Sequence, residues 1–557
     1  MKKTILILFS FFFITSLFAQ EAGLTIYVLN FKDKGEVEAG SLNPSNYLTY
    51  KAVERRLKQR ISFDQSDIPV SDQYIKAISK TGANILTRSR WFNTVVIEAN
   101  GDMINAISAF PYVSEIQPLV KNGKNLSSSA KPFLKNETVN SWLPEITKKS
   151  ASDLYNYGIA FNQINQLKGQ YLHNMGYCGQ GMLIAVIDAG FNSADIMPCF
   201  DSLRANNQIK GTRDFALPGN NVYATSMASH GTSVLSCMGA NSSGQMIGTA
   251  PKADYWLLRS EVAATESIIE EYYWVSAAEF ADSIGADLIN SSLGYTTFDY
   301  TATNHTYADM DGNTTMVTKG ADKAAEKGIL VVNSAGNSGG GGWWYISAPA
   351  DGDSVFTIGA VTAIGIRSDF SSVGPTSDGR IKPTVVAQGS NTAIYYLNNQ
   401  NVPTLGTGNG TSFSSPVMCG ITACLWQAFP YLNNMQIVAL IKASASQASQ
   451  PDSLLGWGIP DFLTATSTIL IQTKENTLVA FPNPVVEKLT LVFPVAIQGK
   501  FNIEIVNLQD KVVYSKQRDE GSIRSIQIND IGYLASGMYL IKVSDQSVIY
   551  SGKIIKK

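Results

Sequence analysis

Leu183-Ile184-Ala185-Val186-Ile187-Asp188-Ala189-Gly190-Phe191 runs five consecutive apolar residues into a carboxylate. An unbroken apolar run of strand length, closed by a glycine turn, belongs to a strand covered on both faces, as in a parallel sheet. Asp188 stands at its end, where a charge is costly unless it is paired. The same texture returns at Tyr255–Arg259, Leu288–Ser291, Ile329–Asn333 and Val355–Ala360, with helix-length segments Glu266–Ser283 and Gly320–Lys327 between strands. Strands alternating with helices predict an α/β unit, a doubly wound parallel sheet over 153–470, with its ligand site at the carboxyl ends of the strands.

The flanks read differently. Lys2 and Lys3 precede an apolar run, Ile5–Phe18, and Leu17-Phe18-Ala19 offers a small-residue cleavage site before Gln20, so residues 1–19 read as an export signal. The run is shorter than the roughly 20 residues of a spanning helix, and no later segment reads as a membrane span. Over 20–126, strands at Leu24–Leu29, Thr94–Glu98 and Val113–Gln117 and helices at Asp72–Ser79 and Asp102–Phe110 predict a small α+β domain. Residues 127–152, rich in Ser, Lys, Asn and Thr, read as a linker and processing region. Beyond 470 the period becomes two, at Leu489–Phe493, Phe501–Val506, Ser525–Ile528 and Met538–Val543, which predicts an all-β sandwich over 471–557.

Among the 557 residues, 43 Lys and Arg nearly balance 45 Asp and Glu. That balance leaves no electrostatic footprint for nucleic acid or an anionic membrane. Five cysteines are too few for a disulfide scaffold. Cys178 and Cys199 are the best candidates for a pair, and Cys419 and Cys424 read as core residues.

Four stretches carry chemistry. GTSFSSP (Gly410–Pro416) precedes an apolar helix-length run, Val417–Phe429, with proline in its opening turn, so Ser412 sits at a helix start where free N–H groups can stabilise an oxyanion. A plain N-cap would read alike. SHGTSV (Ser229–Val234) places His230 at the head of another helix, and a serine hydroxyl needs such a neutral imidazole to take its proton. His173 and His305, the other histidines, have no comparable context. Asp188 is suited to hold an imidazole, or to cap its turn. In VVNSAGNSG (Val331–Gly339) a strand enters a glycine turn bearing Asn337, either an amide donor for an oxyanion or an ordinary turn residue.

Together these stretches resemble the subtilase family, in the order Asp, His, Asn, Ser and in local sequence, over roughly 155–470. GTAPKA (Gly248–Ala253), NSSLG (Asn290–Gly294), APA (Ala348–Ala350) and FSSVGP (Phe370–Pro375) extend the resemblance. It implies a serine endopeptidase acting on proteins or peptides through an acyl-enzyme, with Asp188, His230 and Ser412 catalytic and Asn337 in the oxyanion hole. By the same resemblance Ser292, Leu293 and Gly294 form an edge that pairs with substrate, and Ala335 and Gly336 line the pocket for the residue before the scissile bond. Gln388 stands where the family generally has proline, and Phe413 replaces the more usual methionine. No cofactor is required. DMDGN (Asp309–Asn313) offers Asp309, Asp311 and Asn313 as weak ligands for a structural calcium ion, or only a turn.

Leu24–Leu119, closing with FPYVSEIQPL (Phe110–Leu119), looks like the propeptide of these proteases. FPNPVVEKLTL (Phe481–Leu491) and LASGMYLIKV (Leu534–Val543) resemble the C-terminal sorting domain of type IX secretion cargo, which implies that machinery as a partner and a secreted or cell-surface monomer. The rival expectation is a surface adhesin or scaffold retaining an inactive protease fold.

Overall fold

The computed structural model describes residues 23–35, 43–120, 131, 137–141, 143, 153–224, 226–473, 478–481, 483–544 and 548–557. The export-signal stretch and most of 127–152 lie outside the described residues.

Seven strands form a parallel sheet in the spatial order Val385–Gln388, Phe356–Val361, Leu330–Ser334, Leu288–Ser291, Leu183–Asp188, Asp254–Arg259, Ile209–Asp214. Alternate side chains of the Asp188 strand enter two cores. Ile184 and Val186 meet Val234 and Leu235 of the helix His230–Gly239 and Val417 of the helix Thr411–Ala428. Ala185 and Ile187 meet Trp274 and Ala278 of the helix Ile269–Ile284 and Val317 of the helix Met316–Glu326. Burial on both faces is why these strands read as continuous apolar runs. The expected strands sit within a residue or so of their observed ends. The two edge strands carry weaker patterns: Ile209–Asp214 is mostly polar and Val385–Gln388 is only four residues long.

After the Asp188 strand the chain fills the sheet on one side, then crosses to Leu288–Ser291 and fills the other. The strand order therefore reverses between Asp188 and Ser291, and a crevice opens there at the carboxyl ends.

The N-terminal unit is a four-stranded antiparallel sheet in the order Asn84–Ser89, Thr94–Ala99, Thr25–Phe31, Val113–Val120. Its helices Asp72–Ser79 and Gly101–Ser108 cover Leu29, Val95 and Ile97. Val28 and Val96, on the other face, join the core around Trp274. A helix that the sequence reading did not anticipate, Tyr50–Gln59, buries Arg55 and Arg56 against Asp282. The C-terminal unit is all antiparallel, five strands in one sheet. The two runs Leu489–Phe493 and Phe501–Val506 belong to one long strand, Leu489–Asn507, whose pairing shifts register between Val492 and Ile497.

All five cysteines are free and buried, so the expected Cys178–Cys199 pair is not formed. Cys178 faces the carbonyl of His173 at 3.9 Å, while Cys199 lies in the separate turn Pro198–Phe200. Among the described residues no helix is long and apolar enough to cross a membrane.

Candidate active site

Asp188 ends its strand fully buried, and its Oδ1 lies 2.7 Å from Nδ1 of His230, the first residue of its helix. Gly231 permits that approach: a Cβ there would sit 2.5 Å from the carbonyl oxygen of Gly190 and 2.9 Å from Cβ of Asp188. Ser412 is the second residue of the helix Thr411–Ala428, which begins earlier than the sequence reading placed it. Pro416 therefore lies inside the helix, where its missing N–H releases the carbonyl of Ser412 from the helical ladder. That carbonyl accepts a hydrogen bond from Ser292 Oγ at 2.9 Å, and Ser412 Oγ donates to the carbonyl of Ser292 at 3.5 Å. The Ser292-Leu293-Gly294 edge is thus tied to Ser412 at its first residue.

Asn337 lies in the turn after the strand Leu330–Ser334. Its Oδ1 accepts from the Thr411 N–H at 2.8 Å and from Thr411 Oγ1 at 2.9 Å. With the carbonyl side held by donors, the amide Nδ2 must face the crevice. Gly336 beside it has φ of +106°, and a Cβ would meet Ser372 Oγ at 2.9 Å. Only glycine suits that turn. The Ala335 N–H donates to the Ile358 carbonyl of the neighbouring strand at 2.9 Å, and the Gly336 N–H to Thr411 Oγ1 at 3.2 Å, which ties Gly336 to the Ser412 helix.

Glu137, which the sequence reading left in a linker, enters this crevice. Its Oε2 lies 3.4 Å from His230 Nε2, and its Oε1 accepts from Asn337 Nδ2 at 3.2 Å. Thr138–Asn140 then pairs antiparallel with Thr407–Asn409, the strand that leads into Ser412. Strand pairing to residues about 270 positions away leaves no local periodicity to read. Burial alone would lower the His230 imidazole, but Asp188 and then Glu137 outweigh it and hold it well above its ordinary value.

His173 is fully buried between the Tyr157 hydroxyl and the Thr249 carbonyl, each at 2.9 Å, and burial lowers it to about 4. His305 faces Glu271. Asp309 caps a short helical turn through Thr306, and Asp311 accepts from the N–H groups of Asn313 and Thr314 at 2.8 Å. Gln388 closes a turn by donating to the carbonyls of Ser390 and Asn391, a role proline could not fill. Phe413 packs at 6.3 Å from the His230 ring. Glu261, Glu266 and Glu270, which the sequence reading passed over, bring ligand oxygens within 4.8 Å of one another.

The subtilase family model matches residues 179–458, half the chain. The chain belongs to the subtilase family. Ahead of this region the subtilase matches the peptidase S8 propeptide domain of Bacteroidota over 26–134, and behind it a secretion-system C-terminal sorting domain over 479–557. These two domains mark an exported or cell-surface protein. Subtilisin NAT of Bacillus subtilis subsp. natto is 31% identical over 286 residues, 51% of this chain and 65% of that protein. Subtilisin of Bacillus pumilus is 30% identical over 286 residues, 51% of this chain and 90% of that one. The chain thus spans just under two thirds of the length of the first of these relatives. The crystal structure of fervidolysin from Fervidobacterium pennivorans, a keratinolytic enzyme related to subtilisin, superimposes with a TM-score of 0.52 at 17% identity, covering 95% of this chain and 72% of that one. At that identity the likeness is one of fold.

Proposed function

We propose that this subtilase is a secreted serine endopeptidase in which Ser412 is the nucleophile, His230 its base and Asp188 the group that orients the base. Ser412 Oγ attacks the peptide carbonyl as its proton passes to His230 Nε2. The new C–O bond makes a tetrahedral oxyanion, held by Asn337 Nδ2 and the Ser412 N–H. Collapse breaks the C–N bond, His230 returns the proton to the leaving amine, and water hydrolyses the acyl-enzyme by the same steps in reverse. Asp188, hydrogen-bonded to His230 Nδ1, stabilises the imidazolium as it forms.

The observation that carries this reading is the Glu137 carboxylate, a negative oxygen pair held between His230 Nε2 and Asn337 Nδ2. Its two oxygens reach the amide that would donate to the oxyanion and the ring nitrogen that would take the serine proton. Ser292, Leu293 and Gly294 would pair with the substrate backbone, and Ala335 and Gly336 would border the side chain before the cut. No cofactor enters these steps, and the enzyme acts as a monomer on protein or peptide substrates.

A serine-directed phosphonate separates this reading from an inactive adhesin. The wild-type protein is expected to form a covalent adduct at Ser412 and to digest a peptide library, whereas Ser412→Ala does neither. A purified Ser412→Ala protein that still cleaves peptides would overturn the assignment.

A further inference from the structure

Lys131 is the one described residue between 121 and 136, and its ammonium is buried among three carboxylates. Nζ lies 2.8 Å from Glu261, 3.1 Å from Glu266 and 2.6 Å from Glu270. The ammonium donates to Glu261 and to both oxygens of Glu270, and pairs by charge with Glu266. The cage is built by the protein around it. The Tyr295 hydroxyl donates to Glu261, and the N–H groups of Val262 and Ser267 donate to Glu270 at 2.7 and 3.0 Å. The fully buried Glu266 carboxylate meets only the ammonium among the described residues.

Acid groups outnumber the cation in this cage. Three carboxylates face one cation, and burial, reinforced by the charge of Glu261, pushes Glu270 up to about 8 even with the ammonium in place. A permanent structural ion pair would hardly carry two surplus acids in a buried site. A pocket that receives a cation from a passing chain has reason to.

The path of the chain points the same way. Lys131 is six positions before Glu137, which lies at His230 and Asn337, and Thr138–Asn140 then pairs beside the approach to Ser412. On the protein side the edge Ser292-Leu293-Gly294 begins at Ser412 and leads to Tyr295, whose hydroxyl holds Glu261. The cage and the reactive serine therefore stand at two ends of one edge. The propeptide family match ends at residue 134, between Lys131 and Glu137.

We propose that Glu261, Glu266 and Glu270 form a specificity pocket for a lysine or arginine side chain upstream of the bond to be cut, and that Lys131 occupies it in the uncut chain. The proposal rests on the serine endopeptidase reading and adds the substrate class: segments with a basic residue fewer than seven positions before the cleaved bond. Charge selection works because a neutral side chain would leave Glu266 without its cation and force the cage to take up protons instead.

The test uses the full-length chain as secreted and quenched fluorescent peptides copying residues 129–140, with Lys, Arg, norleucine or Glu at the position of Lys131. Lys and Arg peptides are expected to exceed the norleucine peptide in kcat/KM by at least about 30-fold, with the Glu peptide slowest. Glu270→Gln should shrink the Lys-to-norleucine ratio. In the full chain Lys131→Arg should process itself close to the wild-type rate while Lys131→Met lags. Equal cleavage of Lys and norleucine peptides overturns the pocket and leaves the endopeptidase reading standing. A flat ratio together with a calcium-dependent rise in Tm reassigns the cage to a metal ion and equally overturns it. A protein that reacts with no phosphonate and cuts no peptide removes both readings.

Discussion

The two ends of the helix Ile269–Ile284 hold opposite solutions to one problem, a cluster of buried carboxylates gripped by the preceding part of the chain. At its C-terminal end Asp282 accepts from Arg55, Arg56 and Arg90, and Glu279 from Ser89 and the Arg90 and Trp91 N–H groups. Both oxygens of Asp282 are met by guanidinium groups, and acids there need that compensation because the helix dipole opposes them. At the N-terminal end, where the dipole favours acids, Glu261, Glu266 and Glu270 share the single ammonium of Lys131. The saturated end is a clamp between folded units. The undersaturated end is a socket whose occupant can be replaced.

The largest effect should come from breaking the clamp. Asp282→Ala removes the carboxylate shared by Arg55, Arg56 and Arg90 and leaves the buried Arg55 guanidinium without an acid, and breaking a buried pair costs about 3–5 kcal/mol. Urea unfolding of the unprocessed Ser412→Ala chain should show that loss in the transition involving the N-terminal sheet. A loss below about 1 kcal/mol, the level of an exposed pair, would show that this contact does not hold the domains together.

Next stands Asn337, the residue proposed to donate to the oxyanion. Asn337→Ala should lower kcat about 10²- to 10³-fold, a magnitude taken from the equivalent deletion in a subtilisin, with less effect on KM. Steady-state kinetics with an unchanged kcat would remove Asn337 from the mechanism.

Emptying the socket should cost less than breaking the clamp, because carboxylates can take up protons whereas guanidinium groups cannot shed them. Lys131→Met in the Ser412→Ala background is expected to lose about 1–3 kcal/mol at neutral pH. Its sign with pH is set by Glu270, whose raised value means that the folded state holds a proton the unfolded state has released. Stability should therefore fall as pH rises from the ordinary 4.5 to about 8 and beyond. A pH-independent penalty would contradict a proton-absorbing socket.

The smallest effect concerns Glu137. His230 is raised by Asp188 and Glu137 against the pull of burial, so its contribution to the closed site is full below the ordinary imidazole range and lost as pH rises past the raised value. Glu137→Gln removes one raising charge. In Ser412→Ala protein the NMR titration midpoint of His230, one of only three histidines, should move to lower pH. An unmoved midpoint would mean that Glu137 and His230 are not coupled in solution.

Legibility followed the range of the contacts. Asp188, His230, Asn337 and Ser412 each sit at the end of a strand or the head of a helix whose apolar pattern announces it, so the motif and its element could be read together. The start of the Ser412 helix was less visible, because Pro416 suggests an opening turn and only Ser292, 120 positions away, explains why it lies inside. Tyr50–Gln59 was missed since its buried face is arginine rather than apolar, and the cost of burying it is offset by a partner on another element.

The amino-acid order by itself determined the parallel sheet and set Asp188, His230, Asn337 and Ser412 at its strand ends and helix starts, because period, strand ends and helix starts are local consequences of side-chain chemistry. The tertiary structure alone decided that Glu137 lies between His230 and Asn337 and that Lys131 enters a cage of three glutamates. Those contacts join residues 93 to 200 positions apart. A lone charge in a polar stretch carries no sign of the partner that folding brings to it.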